Sequence, residues 1–215
     1  LVDGEELERL RAEAASREYA PMARLARALY ENGLPAEHVL HKCYGVGFPR
    51  EFFMIADADP YGTDLLAAWT NQPWQMAVPL DRGGPAARAD TLEPMERRFH
   101  DMDSDLLPLL YLVRPGIDTE DHGVVLCYRL TELAAGRPTI FGARRETTSL
   151  DEVTRRGDSL LAVLRAHHAG YLHELEEELE NWEGKGEYDT VDEDEVEEVR
   201  ALVDRIEAFQ HEAGI

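Results

Sequence analysis

Residues 44–57 read YGVGFPREFFMIAD. Two glycines, a Phe-Pro step and a pair of aromatics stand together, and two readings compete for them. A phosphate-cradling loop needs glycines spaced so that a ligand can approach a helix N-terminus directly after a strand. The segment GVGF lacks the later glycine, the Lys-Ser/Thr pair and any strand before it. The stretch is therefore the buried corner of a fold. Pro49 opens a helical turn, and Phe52, Phe53 and Ile55 supply its apolar face.

Upstream, Leu7, Leu10, Ala14, Met22, Leu25, Ala26 and Leu29 recur at helical spacing, with Pro21 as a break or new start and Gly33 as a stop. Pro35 then suits the first turn of a short helix, PAEHVLHKCYG, ending at Gly45 or Gly47. Downstream, DADPYGTD is a turn. Four short apolar runs follow at 74–80, 106–113, 123–130 and 138–143, bounded by Gly, Pro and Asp, and they read as strands. Their later connections, RPGIDTED and TELAAGR, are too short for crossover helices, so the sheet is expected to be antiparallel. Ser149 and Glu152 fit a capping box at the start of a closing helix. Its seam runs through Leu160, Leu164, His168, Tyr171, Leu175, Leu179 and Trp182. EGKGEYDT breaks it, and a second helix from about Asp192 carries Val196, Val199, Val203, Ile206 and Phe209. The expected class is α+β: an antiparallel sheet flanked by helices, with an N-terminal helical lead (1–34), a central domain (35–165) and an acidic C-terminal helical hairpin (166–215). If the chain is an adaptor that docks through this hairpin, removing residues 166–215 is expected to leave a folded body but abolish association.

The formal charge of −22 is unevenly spread. Tyr171 to Arg200 hold fourteen acids against two bases. Such a field repels nucleic acid and anionic lipid and attracts basic proteins. An apolar fraction of 44% is enough for a core. No run of about 18 apolar residues suits a membrane span, and the charged first residues are unlike a secretory signal; a cytoplasmic location is the expectation. The two cysteines, Cys43 and Cys127, sit in apolar settings and read as buried thiols.

Three clusters carry possible chemistry. HDMDSD sets His100, Asp101, Asp103 and Asp105 close together, but Leu106 and Leu112 stand where a calcium loop has its glycine and bidentate Glu, so the carboxylates are assigned to a polar loop. His167, His168 and His173 lack the two-histidine spacing of a zinc peptidase helix. Trp69 and Trp74 flank a polar turn and read equally as interface anchors or as core. Asp57 and Asp59 lie just upstream, where they could join a negative face. The residues expected to meet a partner are Asp57, Asp59, Trp69, Trp74, Asp101, Asp103 and Asp105. No catalytic residue, cofactor or metal is expected.

The order of a helix, GVGFPREFFMIADADPYG, several strands and a helix introduced by TTSLDEV resembles the SUKH superfamily over roughly residues 36–165. The matching positions are Gly47, Phe48, Pro49, Glu51, Phe52 and Ile55, with Ser149, Leu150 and Val153 at the closing helix. The usual Asn-Gly-Gly is replaced by ADADPYG, and residues 81–105 are extra. The resemblance implies a non-enzymatic immunity protein that masks a toxin's active site or substrate groove, and the negative charge separately suits a basic partner, such as a nuclease or other toxin domain. The alternatives are a hydrolase or metal-dependent enzyme using the His and Asp clusters, and an adaptor that docks through the acidic hairpin.

Overall fold

The computed structural model describes residues 2–86, 94–115, 123–181 and 192–215. The N-terminal lead is two helices, α1 (Gly4–Ala14) and α2 (Tyr19–Glu31), the second starting two residues before Pro21. Helix α3 (Ala36–Tyr44) follows Pro35 and stops at Gly45, whose φ of 77° only a residue without a Cβ adopts freely. Helix α4 (Arg50–Asp57) follows Pro49. Further on come α5 (Pro94–Met102), α6 (Leu130–Ala134), α7 (Leu160–Glu180) and α8 (Glu193–Ala213).

Five strands form one antiparallel sheet in sequential order: β1 (Ala67–Trp69), β2 (Leu106–Leu112), β3 (Val124–Arg129), β4 (Ile140–Arg144) and β5 (Thr154–Gly157). The three central strands match the runs expected from sequence. Pro108 cannot donate to a ladder, and the β2–β3 register shifts between Pro108 and Leu110.

Three local expectations are corrected. Residues 74–80 are not a strand. Trp74–Ala77 form a 3-10 turn between Pro73 and Pro79, buried by wrapping against the core rather than by pairing. The two edge strands, β1 and β5, escaped notice because each is very short; in β5, TRRG, no apolar residue marks a buried face. Ser149 caps only a 3-10 turn at Leu150–Glu152, and the long helix starts after β5, at Leu160, with Ser159 as its cap. Trp182 and the break at 183–190 lie outside the described residues, as does most of the RPGIDTED connection.

The main core fills one face of the sheet, where Leu107, Leu112, Val124, Leu126, Tyr128 and Ile140 meet the helices. Leu10, Leu29, Ile55, Leu164 and Ile206 belong to this same cluster, so one core runs through all three sequence segments. The other face carries a smaller cluster in which Met95 and Phe99 of α5 cover Leu106, Val125, Cys127 and Ala143. Helices α7 and α8 run past each other in opposite directions, with Arg165 paired to Glu207 and Glu176 to Arg200. No helix among the described residues is long and apolar enough to cross a membrane.

Candidate functional site

The Phe-Pro corner packs inward through its helix, while Phe48 and Pro49 themselves are half-buried and Gly45 and Gly47 are exposed. Phe52 and Ile55 are fully buried, and Phe48 packs 4.9 Å from Phe52 and 5.4 Å from Tyr44, centroid to centroid. Phe52 stacks on Trp74 at 4.4 Å and 16°, and Trp69 meets Trp74 edge-on at 4.9 Å. The corner and the tryptophan pair, far apart in sequence, are one aromatic cluster. Its polar tie is Glu51, 1% exposed, whose carboxylate accepts from the backbone N–H groups of Leu160 (2.9 Å) and Leu161 (3.0 Å). Burial pushes the Glu51 carboxyl above the usual carboxylate range, and the two helix donors pull it partway back. The Tyr128 phenol beside it is held well above its ordinary value by burial.

Trp74 is therefore not a rim anchor. It is 1% exposed, and its indole N–H donates to the carbonyl of Leu109 at 2.7 Å. A large ring with a polar edge goes to the core when that edge finds an acceptor there. Trp69 is half-buried on edge strand β1.

Asp57 and Asp59 are exposed at the end of α4 and in the turn after it. Asp59 has φ 61° and ψ 94°, outside the left-handed helical basin that aspartate tolerates, and its Oδ1 accepts from the Tyr61 N–H at 3.2 Å. A cleft of about 240 Å³ opens here, its lining including Asp59, Pro60, Tyr61, Gln75, Arg82 and Gly84, with the buried Trp74 also reaching it. Arg82 reaches Asp57 at 3.4 Å. The structure thus brings Asp57, Asp59 and both tryptophans into one neighbourhood.

The other three expected residues lie elsewhere, around the end of α5 and the start of β2. Asp101 is exposed. Asp103 and Asp105 are half-buried and serve the fold: Asp103 accepts from Arg129 at 2.9 Å, and Asp105 accepts from the Thr131 N–H and hydroxyl, both at 2.8 Å. The Arg129 guanidinium also lies 5.0 Å from the Phe141 ring centroid. These carboxylates hold the β3–α6 turn against β2, and sequence spacing gives no sign of that long-range partner.

The histidines do not converge. His167 and His168 are buried, with rings 5.4 Å apart at 85°, whereas His173 is exposed near Glu177. His168 accepts from the Leu66 N–H through Nε2 (2.8 Å), which leaves Nδ1 to donate to the Leu164 carbonyl (2.7 Å). Burial pulls its pKa down to about 4. His100, on α5 across the sheet, is also lowered by burial. Burial pushes the Cys43 thiol up to about 12 and the Cys127 thiol higher, so neither is a ready nucleophile. Among the described residues no group of three or more His, Cys, Asp or Glu side chains is placed to hold a metal ion. A larger groove of about 570 Å³ lies between β5 and α7; His167 lines it, together with Arg155, Arg156 and Asp158, but none of the expected partner residues does.

The acidic helices are ordered. Helices α7 and α8 together carry thirteen acids against three bases. Their inner seam buries Tyr171, Leu175, Val196 and Val199, and the Tyr171 hydroxyl donates to Glu195 at 2.7 Å. Glu178, Glu180, Asp194, Glu197, Glu198, Asp204 and Glu212 face solvent. Compared with protein-family models, with curated proteins and with solved structures, the chain gives no significant match.

Proposed function

We propose that this protein is a non-enzymatic docking module for a basic protein, and that its partner is a toxin domain whose basic active-site or substrate groove it masks, as in an immunity protein. The observation that carries the docking reading is the acidic outer face of α7 and α8, set on a packed seam rather than on a free tail. A rigid acidic face pays little ordering entropy on binding and steers a basic partner toward it. The toxin reading rests on the resemblance of the Phe-Pro corner and its flanking elements to the SUKH pattern, and a nuclease groove, basic by necessity, is the surface such a face suits.

The test is capture of partners from the native host at low and then high salt. A basic toxin domain should be retained at low salt and released as ionic strength rises, because screening shortens the reach of surface charge. Capture of acidic or neutral proteins only, or retention indifferent to salt, would overturn the reading.

A further inference from the structure

The residues just before β1 join the sheet to both closing helices. Leu66 extends the β1–β2 ladder by one bond, its carbonyl accepting from the Val113 N–H at 3.1 Å. Two successive histidines of α7 hold the two sides of this last rung. His168 Nε2 accepts from the Leu66 N–H at 2.8 Å, and His167 Nε2 lies 2.9 Å from the Val113 carbonyl oxygen. From α8, Arg205 donates to the Thr63 carbonyl. The Leu66 side chain packs against the seam of Tyr171, Leu175, Val196 and Val199.

A proton affects the two histidine bonds differently. A carbonyl only accepts, so His167 donates to Val113 whether neutral or charged. A backbone N–H only donates, so His168 holds Leu66 only while Nε2 keeps its lone pair. The ring is fully buried and its Nδ1–H is committed to the Leu164 carbonyl at 2.7 Å. Protonated His168 therefore sets one N–H against another. The neighbours on α7 are His167, 5.4 Å away ring to ring, whose charge opposes protonation, and Tyr171, bonded to Glu195 of α8. The turn contributes the exposed Asp64, the end of β2 Arg114, paired with Glu174, and α8 Arg205.

The element that yields is β1. It is three half-buried residues at the edge of the sheet, bonded to β2 alone, whereas β2 is almost wholly buried and bonded on both sides. Edges of this kind open locally at a smaller cost than the whole fold.

We infer that His168 is an acid-released latch, whose protonation frees Leu66 and strand β1 from α7 while the rest of the sheet stays folded. The opened state bares the edge of β2. The latch stands apart from the docking reading, since it needs no partner.

The test is amide hydrogen exchange of the full chain, resolved by NMR at pH 7 and pH 4.5 and corrected for intrinsic rates. His168 titrates at about 4 when latched against 6.5 when free, so Leu66 should lose protection roughly fiftyfold between the two conditions. At pH 4.5 the Leu66 and β1 amides should exchange far faster than those of Leu126 and Ile140. Small additions of urea should leave the Leu66 rate unchanged, because a local opening exposes little surface. His168→Gln keeps an acceptor for Leu66 and a donor for Leu164 but does not titrate, so it should abolish the acid response, whereas His167→Gln should leave it. Imidazole 15N spectra of the unaltered chain give a second check that needs no variant, with the Nδ1–H form of His168 expected at pH 7. Leu66 protection indifferent to pH, exchange of Leu66 and Leu126 at one rate with one urea dependence, or an Nε2–H form of His168 at pH 7 overturns the inference.

Discussion

Glu51 of α4 caps α7 across 109 residues of sequence: its two carboxylate oxygens take the backbone N–H groups of Leu160 and Leu161. Ser159 takes the N–H of Ala162 at 3.2 Å, so the first three donors of the helix are satisfied by side chains. An anion at a helix N-terminus also gains from the helix dipole. The Phe-Pro corner is thus pinned to the closing helix by one buried carboxylate.

Removing this cap should be costly. Glu51→Ala leaves two buried donors without an acceptor, and a loss of about 3 kcal/mol is expected. Glu51→Gln offers only one acceptor oxygen and sets an N–H₂ group against the second donor, so a loss of about 1–2 kcal/mol is expected. Urea unfolding of the three proteins measures both. Equal midpoints would show that the cap contributes nothing.

Trp74 and Asp59 should separate stability from binding. Trp74→Ala empties the centre of the aromatic cluster and should cost about 3–5 kcal/mol. Asp59→Asn should leave the unfolding midpoint nearly unchanged while weakening partner capture. Calorimetry on both variants, paired with capture at low salt, checks this. A Trp74 variant that stays stable but loses its partner would return that residue to the interface.

Asp105 and Asp101 should likewise part company. Asp105→Ala strands the Thr131 N–H and frees Arg129 from one of its partners, for an expected loss of about 1–2 kcal/mol. Asp101, exposed at the end of α5, should tolerate Asn within about 0.5 kcal/mol. Chemical denaturation distinguishes the two.

His168 should make the fold acid-sensitive. Its folded pKa of about 4 lies below the ordinary 6.5, so between these values the unfolded chain binds the extra proton. Stability is fully present above about pH 6.5 and falls as pH drops toward 4, by roughly 3 kcal/mol in total. His168→Gln should flatten this part of the stability–pH curve when urea midpoints are compared at pH 7 and pH 4.5. A slope unchanged by the substitution would assign the acid response to other groups.

Truncation after residue 165 should not leave the folded body that the segment boundaries suggest. Ile206 of α8 is fully buried in the main core, beside the α7 residues Leu160, Leu161 and Leu164. A chain ending at 165 exposes that surface and also loses His168, the acceptor for the Leu66 N–H. It should be aggregated or largely unfolded by circular dichroism and size-exclusion chromatography. A monomeric, cooperatively folded fragment would show the acidic helices to be an independent unit.

The α+β class, the helices flanking Pro49 and Gly45, the three central strands and the acidic closing helices were legible because each depends on local signals. Apolar spacing, glycine stops and proline starts act within a few residues of themselves. The edge strands were not legible, since TRRG becomes a strand only when β4 offers its free edge. Nor was the role of the aspartates: Asp105 looked like an open carboxylate until Thr131, 26 residues away, came to meet it.

The sequence by itself determined that the Phe-Pro stretch packs inward and that the chain carries a strongly negative exterior, because both follow from residue type and near-neighbour spacing. Only the tertiary structure decided that Glu51 caps α7, that Trp74 is core while Asp59 and Tyr61 wall a cleft, and that one core joins the first helices to the last. Those are contacts between residues tens to hundreds of positions apart, and their formation depends on where packing closes the chain rather than on any signal in the segments themselves.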